Sequence, residues 1–312
     1  MKKSLLSFFL ILCALCSACA APEVPASGGA YTFTDDLGRQ VCVHNPRRVA
    51  ALLGSFAQIW YLAGGQVVAT ADDAWEELNL PMPDGAVNLG ATQSLSLELL
   101  LSARPDLVLA STNTRQNIEW REALEGAGIP VAYFDISDFD DYLRLLDIST
   151  DITGRKDLYA RYGTDVQTQI HQVISHSKTR LQTGSAPTVL SLTASASFVK
   201  AKHSEGNVLG AMLKQLGCIN IADSEEMLLQ DLSIEHILMC DPDYIFIVQR
   251  GDNESGMRAY VQEFFMSHPA WSRLTAVRNG RVYFMEKELY SLKPNHRWGE
   301  AYEKLEDIFS HE

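Results

Sequence analysis

The segment Leu95-Ser-Leu-Glu-Leu-Leu-Leu-Ser-Ala-Arg-Pro-Asp-Leu-Val-Leu-Ala110 aligns without a gap on Leu232-Ser-Ile-Glu-His-Ile-Leu-Met-Cys-Asp-Pro-Asp-Tyr-Ile-Phe-Ile247, 137 residues further on. Six of the sixteen aligned positions are identical. In each copy a serine is placed to cap a helix, a glutamate lies in the first turn, and Pro-Asp breaks the chain before an apolar strand. The repeat therefore predicts that each half of the chain contains one α/β unit of the same plan.

Around the first copy, short apolar segments alternate with helical patterns. After a hairpin at 31–44, the pattern predicts strands at 48–53, 67–70, 107–110 and 131–134, with helices at 56–63, 96–103 and 118–125. Strands that alternate with helices indicate a parallel sheet covered on both faces. We therefore expect residues 31–137 to form an N-terminal α/β lobe.

The alternation starts again after Pro187 and surrounds the second copy. It predicts strands at 188–192, 244–248 and 281–284, a helix at 208–216, and a final helix from about residue 298. Residues 183–312 are therefore expected to form a C-terminal α/β lobe. Between the lobes, residues 138–182 follow a broken helical period without a convincing strand, which predicts a helical connector with Gly154 as a point of interruption.

Composition narrows the class of protein. The chain has 312 residues, 46% of them hydrophobic and 21% charged, with a formal net charge of −13. This composition is typical of a globular protein of about two domains. Nucleic-acid binding requires clustered lysine and arginine, so the acidic balance argues against a nucleic-acid partner.

The first thirty residues predict export. Lys2 and Lys3 precede an apolar run at 5–15 that is too short to span a bilayer, so residues 1–18 are predicted to be a signal peptide. Small residues before Cys19 resemble a bacterial lipobox, which makes Cys19 the predicted lipidation site; the alternative is an ordinary signal peptide. Residues 19–30 are small and rich in Pro and Gly, which predicts a flexible tether.

Three cysteines remain beyond the predicted anchor. Cys42, Cys218 and Cys240 allow at most one disulfide, and their spacing does not suit zinc. We interpret all three as small buried hydrophobic residues.

Taken together, these features resemble the periplasmic-binding-protein family that serves iron–siderophore, haem and cobalamin importers. The resemblance rests on the lipobox, Arg47-Arg48-Val49, Ser-Leu-Glu with Arg-Pro-Asp-Leu-Val in the first repeat, the segment 206–209 and the segment 279–283. It covers residues 31–310. It implies an α/β fold of two doubly wound, Rossmann-like lobes with mostly parallel central sheets, joined by one long connecting helix. It also implies a ligand held between the lobes.

The resemblance assigns a role to the glutamate of each repeat. In this family one surface glutamate per lobe meets arginines of the membrane permease, and the matching positions are Glu98 and Glu235. Two carboxylates at equivalent places on two lobes would give a symmetric docking pair. The alternative is that each glutamate only complements the dipole of its helix.

Ligand contacts are expected on the loops that follow strand ends. Trp75 could stack on a flat ligand or belong to a surface cluster. Lys200, Lys202, Arg250, Lys293 and Arg297 are a group of cations that would suit an anionic ligand. The predicted ligand-binding residues are Phe56, Trp75, Thr92, Gln93, Thr112, Asn113, Lys200, Gln249, Arg250, Tyr290 and Arg297.

The sequence carries no motif for catalysis, such as G-x-S-x-G, H-E-x-x-H or a phosphate-binding glycine loop. We therefore expect a binding protein rather than an enzyme, with no catalytic residue, metal site or cofactor of its own. The expected ligand is an anionic ferric siderophore. Haem, with Tyr290, His203 or His296 as iron ligands, and cobalamin are the alternatives. The expected partners are an ABC permease and, through lipid, the outer face or periplasmic side of the cell membrane; the protein is expected to be a monomer.

Overall fold

The computed structural model describes residues 29–182, 184–230 and 232–310. The predicted signal peptide, Cys19 and the tether up to residue 28 lie outside these ranges. Within them, no helix combines the length and the apolar character that crossing a bilayer requires.

The N-terminal lobe is a five-stranded parallel sheet in the order β5-β4-β3-β6-β7, with a separate antiparallel hairpin, β1-β2. Its elements are β1 (Tyr31–Thr34), β2 (Gln40–Val43), β3 (Val49–Ala51), α1 (Gly54–Leu62), β4 (Val67–Thr70), α2 (Asp73–Glu76), β5 (Val87–Asn88), α3 (Leu97–Ser102), β6 (Leu107–Ser111), α4 (Arg115–Glu119), α5 (Arg121–Gly126) and β7 (Val131–Phe134). The chain builds one side of the sheet from β3 and then returns to build the other, so a ligand site is expected beyond the carboxyl ends of these strands.

The connector consists of two helical segments instead of one long helix. It comprises α6 (Phe139–Thr153), α7 (Lys156–Tyr159), a π-helical turn at Ala160–Thr164, and α8 (Asp165–Leu181). Asp138 and Asp141 form a capping box at the start of α6, and Gly154 ends that helix in the left-handed conformation, with φ 71°. The first segment packs against α1, while α8 packs against the C-terminal helix.

The C-terminal lobe has a parallel sheet in the order β10-β8-β11-β12, to which β9 adds an antiparallel strand beside β8. Its elements are β8 (Thr188–Ala194), β9 (Val199–Ala201), α9 (Val208–Gln215), β10 (Ile219–Asn220), α10 (Glu226–Gln230), α11 (Ile234–Cys240), β11 (Tyr244–Gln249), α12 (Glu254–Val261), α13 (Thr275–Arg278), β12 (Val282–Met285), α14 (Lys287–Tyr290) and α15 (Trp298–Ser310). Single 3₁₀ turns lie at Ile221–Asp223, Trp271–Arg273 and Asn295–Arg297, and a π turn lies at Gln262–Met266.

The two repeat copies adopt the same local structure. Ser96 and Ser233 cap α3 and α11, each accepting a hydrogen bond from the backbone N–H three residues further on. At the other end of each helix, Arg104 and Asp241 are in the left-handed region, with φ of 47° and 37°. Both residues directly precede the proline, which cannot continue the helix.

The aspartate after each proline explains why the motif recurs. Asp106 accepts hydrogen bonds from the backbone N–H groups of Arg47 and Arg48, where the chain enters β3. Asp243 accepts hydrogen bonds from the N–H and hydroxyl of Thr188, where the chain enters β8. Each aspartate therefore joins the end of a repeat helix to the first strand of its own sheet.

One hydrophobic core runs through both lobes and the connector. It contains side chains of the β1-β2 hairpin, α1, α6, α8, α9, β11 and α15. Phe139 of α6 packs edge-on against Trp298 of α15, with ring centroids 6.1 Å apart. Separating the lobes widely would break this shared core, so large hinge movements are disfavoured.

Candidate functional site

Residues that follow the carboxyl ends of strands in the two sheets contact each other, Ser55 with Asn295 and Glu77 with Lys287, and we call the space between these strand ends the cleft. Asn295, in the turn before α15, donates hydrogen bonds from Nδ2 to the carbonyl oxygen of Ser55 at 3.0 Å and to Oε1 of Gln58 at 2.6 Å. Asn295 is fully buried and has a φ of 53°, in the left-handed region that asparagine tolerates better than most residues. This contact closes one side of the cleft.

Asp73 and Gly54 form the floor of the cleft in the N-terminal lobe. Asp73 Oδ1 accepts a hydrogen bond from the N–H of Gly54 at 2.9 Å and so satisfies the first turn of α1. Burial raises the pKa of Asp73 to about 6, and the nearby carboxylates of Glu77 and Asp72 add to that rise. A Cβ on Gly54 would lie 2.6 Å from the backbone nitrogen of Ala74, so only glycine allows α1 and α2 to approach this closely.

Lysines from the C-terminal lobe reach toward carboxylates of the N-terminal lobe. The Nζ atom of Lys287 lies 3.0 Å from Oε2 of Glu77 and 2.6 Å from Oδ1 of Asp252, so it bridges the two lobes. Burial lowers the pKa of the Lys293 ammonium, while the carboxylates of Asp135 and Asp141 oppose that shift.

The predicted N-terminal contacts, apart from Phe56, lie on the segments that follow β4, β5 and β6. Trp75 is partly buried on α2, and no ring-stacking partner is found for it among the described residues. Thr112 and Asn113 directly follow β6, and Asn113 donates a hydrogen bond to Asp135 after β7. Thr92 and Gln93 follow β5 and leave polar groups accessible.

Three of the predicted C-terminal contacts, Lys200, Gln249 and Arg250, lie near the carboxyl end of that sheet. Gln249 is the last residue of β11, and the next residue, Arg250, donates its backbone N–H to the carbonyl oxygen of Ala194 at 2.7 Å. Lys200 and Lys202 flank the buried Ala201, so their side chains lie on the same, outer side of the hairpin. Lys200 pairs with Thr193 near the carboxyl end of β8, and Lys202 lies two residues further from that end. Among the described residues, the side chains of Lys200, Lys202 and Arg250 have no ion-pair partner; we call these three residues the basic rim.

Three predicted contacts do not fit the cleft. Phe56 is fully buried and packs edge-on against Phe134 at 6.4 Å, because its position on the first turn of α1 faces the core. Tyr290 is buried, and its hydroxyl donates to the carbonyl oxygen of Ala301 at 3.0 Å. Arg297 forms two hydrogen bonds with Glu300, at 2.7 and 2.9 Å, so its charge is already compensated.

Of the two candidate histidines, His296 is partly buried, whereas His203 is exposed, with 55% of its side chain accessible. His296 packs edge-on against Tyr162 at 5.9 Å, and burial lowers its pKa. His203 lies 3.5 Å from a carboxylate oxygen of Asp223 on the C-terminal lobe. No group of three or more His, Cys, Asp or Glu side chains is arranged for a metal ion within the described ranges.

Asp73, Lys287 and Asn295 are not among the predicted ligand-binding residues. Asp73 and Lys287 each follow a strand closely, so the rule that placed Trp75 also points to them. Asn295 shows no such signal, because its contact with Ser55 joins positions 240 residues apart.

The three cysteines are free thiols. Cys218 is buried, which raises the pKa of its thiol to about 12, and Cys240 is partly buried. Cys42 is exposed, so the expectation of burial is wrong there. It lies on β2, in the two-stranded hairpin, where the alternating residues Val41 and Val43 take the buried positions.

Glu98 and Glu235 are exposed in the first turns of α3 and α11. Helices that connect parallel strands run antiparallel to them, so both first turns lie at the carboxyl edges of the sheets, on the rim of the cleft. Glu98 has no ion-pair partner among the described residues. The Nε2 atom of His268 lies 3.8 Å from Oε1 of Glu235.

Comparison with known proteins agrees with this architecture. The model of the family described as "Periplasmic binding protein" matches residues 49–289. The chain is 23% identical over 298 residues to the Fe(3+)-citrate-binding protein of Bacillus subtilis (strain 168), an alignment that covers 92% of this chain and 90% of that protein.

Two solved structures share the fold. The periplasmic catecholate-siderophore-binding protein VctP from Vibrio cholerae superposes with a TM-score of 0.70 at 14% identity, covering 91% of this chain and 100% of that chain. Staphylococcus aureus IsdE complexed with heme superposes with a TM-score of 0.68 at 15% identity, covering 84% of this chain and 98% of that chain. Because the family match spans both repeat copies and the strand ends that form the cleft, the chain belongs to the periplasmic binding proteins, which bind solutes for transport.

Proposed function

We propose that this chain is the solute-binding lipoprotein of an ABC importer, and that it captures an anionic ferric siderophore in the cleft for delivery to the permease. The observation that carries the ligand class is the basic rim. Lys200, Lys202 and Arg250 have no ion-pair partner among the described residues, although the chain as a whole is acidic, with a formal net charge of −13. Uncompensated cations at a cleft attract an anionic ligand and hold it there.

The opposite wall of the cleft suits the remainder of such a ligand. The indole of Trp75 offers a partly exposed aromatic face on the N-terminal lobe. Thr112, at the carboxyl edge of the same N-terminal sheet, can form a hydrogen bond with a polar group of the chelate. The carboxylates of Asp73 and Glu77 on the N-terminal lobe would repel an anion, so we expect the charge of the ligand to lie toward the basic rim.

Haem or cobalamin is the alternative ligand within the same class of importer. The structural likeness to a heme complex supports it. The candidate iron ligand Tyr290 argues against haem, because its hydroxyl is buried and already donates to the carbonyl oxygen of Ala301. We expect no cofactor of the protein's own; the metal would arrive within the ligand.

The proposal extends to location and partners. Cys19 would carry lipid and hold the protein at the extracytoplasmic face of the membrane, and Glu98 and Glu235 would pair with cations of the permease. Replacing Cys19 with serine should release the protein from the membrane fraction, and persistent membrane attachment of that variant would contradict the lipid anchor.

Titration of the purified protein, with Cys19 replaced by serine, tests the ligand. Ferric citrate, a ferric tricatecholate, haemin and cyanocobalamin are added separately, and tryptophan fluorescence is recorded. We expect a dissociation constant below about 1 µM for a ferric chelate. The double variant Lys200→Ala, Lys202→Ala should weaken that binding by about tenfold, while Lys178→Ala, an exposed lysine on α8, should leave it unchanged. Tight binding of haemin or cyanocobalamin alone would select the alternative ligand.

A further inference from the structure

Exposed apolar side chains concentrate on the helices that carry the two glutamates. In the described part of the chain seven large apolar side chains are exposed, and Leu99, Leu101, Met227 and Met239 are four of them. All four lie on α3, α10 or α11. Clustered exposed apolar residues, unlike scattered ones, mark interaction sites.

The spacing ties these side chains to the glutamates. Leu101 follows Glu98 by three positions and Met239 follows Glu235 by four, so each pair lies on one face of its helix. The side chains of Leu101 and Met239 are exposed by 37% and 82%. Each carboxylate is thus followed, one helical turn away, by an uncovered apolar group.

The C-terminal lobe adds a cavity at this position. A space of about 360 Å³ opens between α10 and α11, lined among others by Ile221, Met227, Leu228, His236, Met239 and Cys240. Met239, one helical turn after Glu235 on the same face of α11, lines this cavity, so the cavity lies beside that carboxylate. The Nδ1 atom of His236 is buried without a hydrogen-bond partner among the described residues.

We propose that this cavity, the methionine pocket, receives an apolar side chain of the membrane permease while Glu235 pairs with a cation on the same permease surface. This inference rests on the proposed function. Methionine suits such a role because its flexible thioether adapts to the group it contacts. An apolar contact inside a charged rim is the arrangement typical of protein interfaces.

The N-terminal lobe cannot offer the same contact. In the register of the repeat, Ser102 occupies the position of Met239, and in the described part of the chain no helix lies between β5 and α3 to correspond to α10. The N-terminal lobe therefore presents Leu99 and Leu101 on α3, where the C-terminal lobe presents a pocket. The two lobes would contact the permease differently, which selects one of the two docking orientations that a symmetric glutamate pair alone would allow.

The test compares docking with ligand binding. Wild-type protein and the double variant Met227→Ser, Met239→Ser are bound to the importer's permease–ATPase complex in nanodiscs, and the dissociation constant is measured. We expect the double variant to dock about tenfold more weakly. The matched control Phe264→Ser, an apolar residue of 56% exposure on the π turn after α12, should dock like wild type. Met239→Glu, at a position too exposed to affect folding, should also weaken docking.

Two further readouts make the result decisive. Added salt should weaken docking of wild type and of the methionine variant by the same factor, because it screens the Glu98 and Glu235 pairs but not an apolar contact. Ferric-chelate titration should be unchanged in the methionine variants. Equal docking by wild type and the methionine variants would overturn the inference while leaving the proposed function intact. If wild type itself bound no ferric chelate, the proposed function would be wrong. If the isolated protein self-associates and the methionine substitutions abolish that self-association, the pocket binds a second copy of the chain. That result would overturn the permease contact.

Discussion

Gly54, the first residue of α1, lies where the beginnings of α1 and α2 meet at the floor of the cleft. An alanine Cβ there would lie 2.6 Å from the backbone nitrogen of Ala74 and 2.9 Å from its Cα. Ordinary van der Waals contact begins at 3.4 Å, so α2 would have to move by about 0.8 Å. Since the obstacle is backbone, no rotamer change relieves it. Overpacking of this kind costs up to about 3 kcal/mol, against a helix-propensity gain of at most about 1 kcal/mol.

We therefore expect Gly54→Ala to lower the free energy of unfolding by about 2 kcal/mol. Urea denaturation followed by circular dichroism measures this as a lower midpoint with an unchanged slope. Displacing α2 also moves Trp75 and loosens the hydrogen bond from Gly54 to Asp73, so affinity for the ferric chelate should fall as well. The matched control is Gly126→Ala at the end of α5, where an added Cβ meets nothing within 4 Å.

The control should be neutral or stabilising by up to about 1 kcal/mol. Destabilisation by Gly54→Ala without destabilisation by Gly126→Ala is the result expected from the close approach at Gly54. A Gly54→Ala protein as stable as Gly126→Ala would refute the reasoning, because it would mean that α1 and α2 do not approach as closely as described.

Further substitutions test the rest of the site. Burial raises the pKa of Asp73 to about 6, so the folded state holds its proton more tightly than the unfolded state. The unfolding free energy should therefore rise as pH falls from about 6 to about 4. Asp73→Asn should remove this pH-dependent rise when unfolding curves are compared at pH 7 and pH 4.5. Asn295→Ala removes two hydrogen bonds between the lobes and should lower the free energy of unfolding, measured by urea denaturation, by about 2 kcal/mol. A loss below about 0.5 kcal/mol would mean that the two hydrogen bonds are not both present. The thiol of Cys42 should react with Ellman's reagent in the native protein, whereas Cys218, buried and with its pKa raised to about 12, should react only after unfolding; a native reaction rate that Cys218→Ser lowers would contradict its burial.

The shared core limits how far the two lobes can move relative to each other when a ligand binds. Side chains of α6 and α15 meet within one continuous core, and the contacts of Asn295 and Lys287 cross the cleft at two separate points. A ligand would therefore enter with small displacements of the lobes. Two carboxylates already pair with Lys287 in the structure. An anionic ligand near them would compete with them for the ammonium group of Lys287.

The sequence by itself determined the class of fold and the plan of each lobe. The repeat at residues 95–110 and 232–247 carries its own start and stop signals, and these act locally: a serine cap, a left-handed residue, a proline and a buried strand. The strands at 67–70 and 131–134 match the structure residue for residue, because short apolar segments bounded by breakers leave little choice of end point. Gly154 was visible as an interruption, although its effect, the division of the connector into two segments, required the structure.

What depends on distant parts of the chain was decided only by the tertiary structure. Phe56 and Trp75 both follow strand ends, yet packing buries the first against Phe134 and leaves the second partly exposed. The short strand β9 exists because β8 offers it a free edge, which no local pattern announces. The contact of Asn295 with Ser55 joins residues that are distant in sequence, and the methionine pocket is formed by side chains from separate elements. Local sequence does not predict either feature, because the packing of whole elements sets side-chain direction and partner identity.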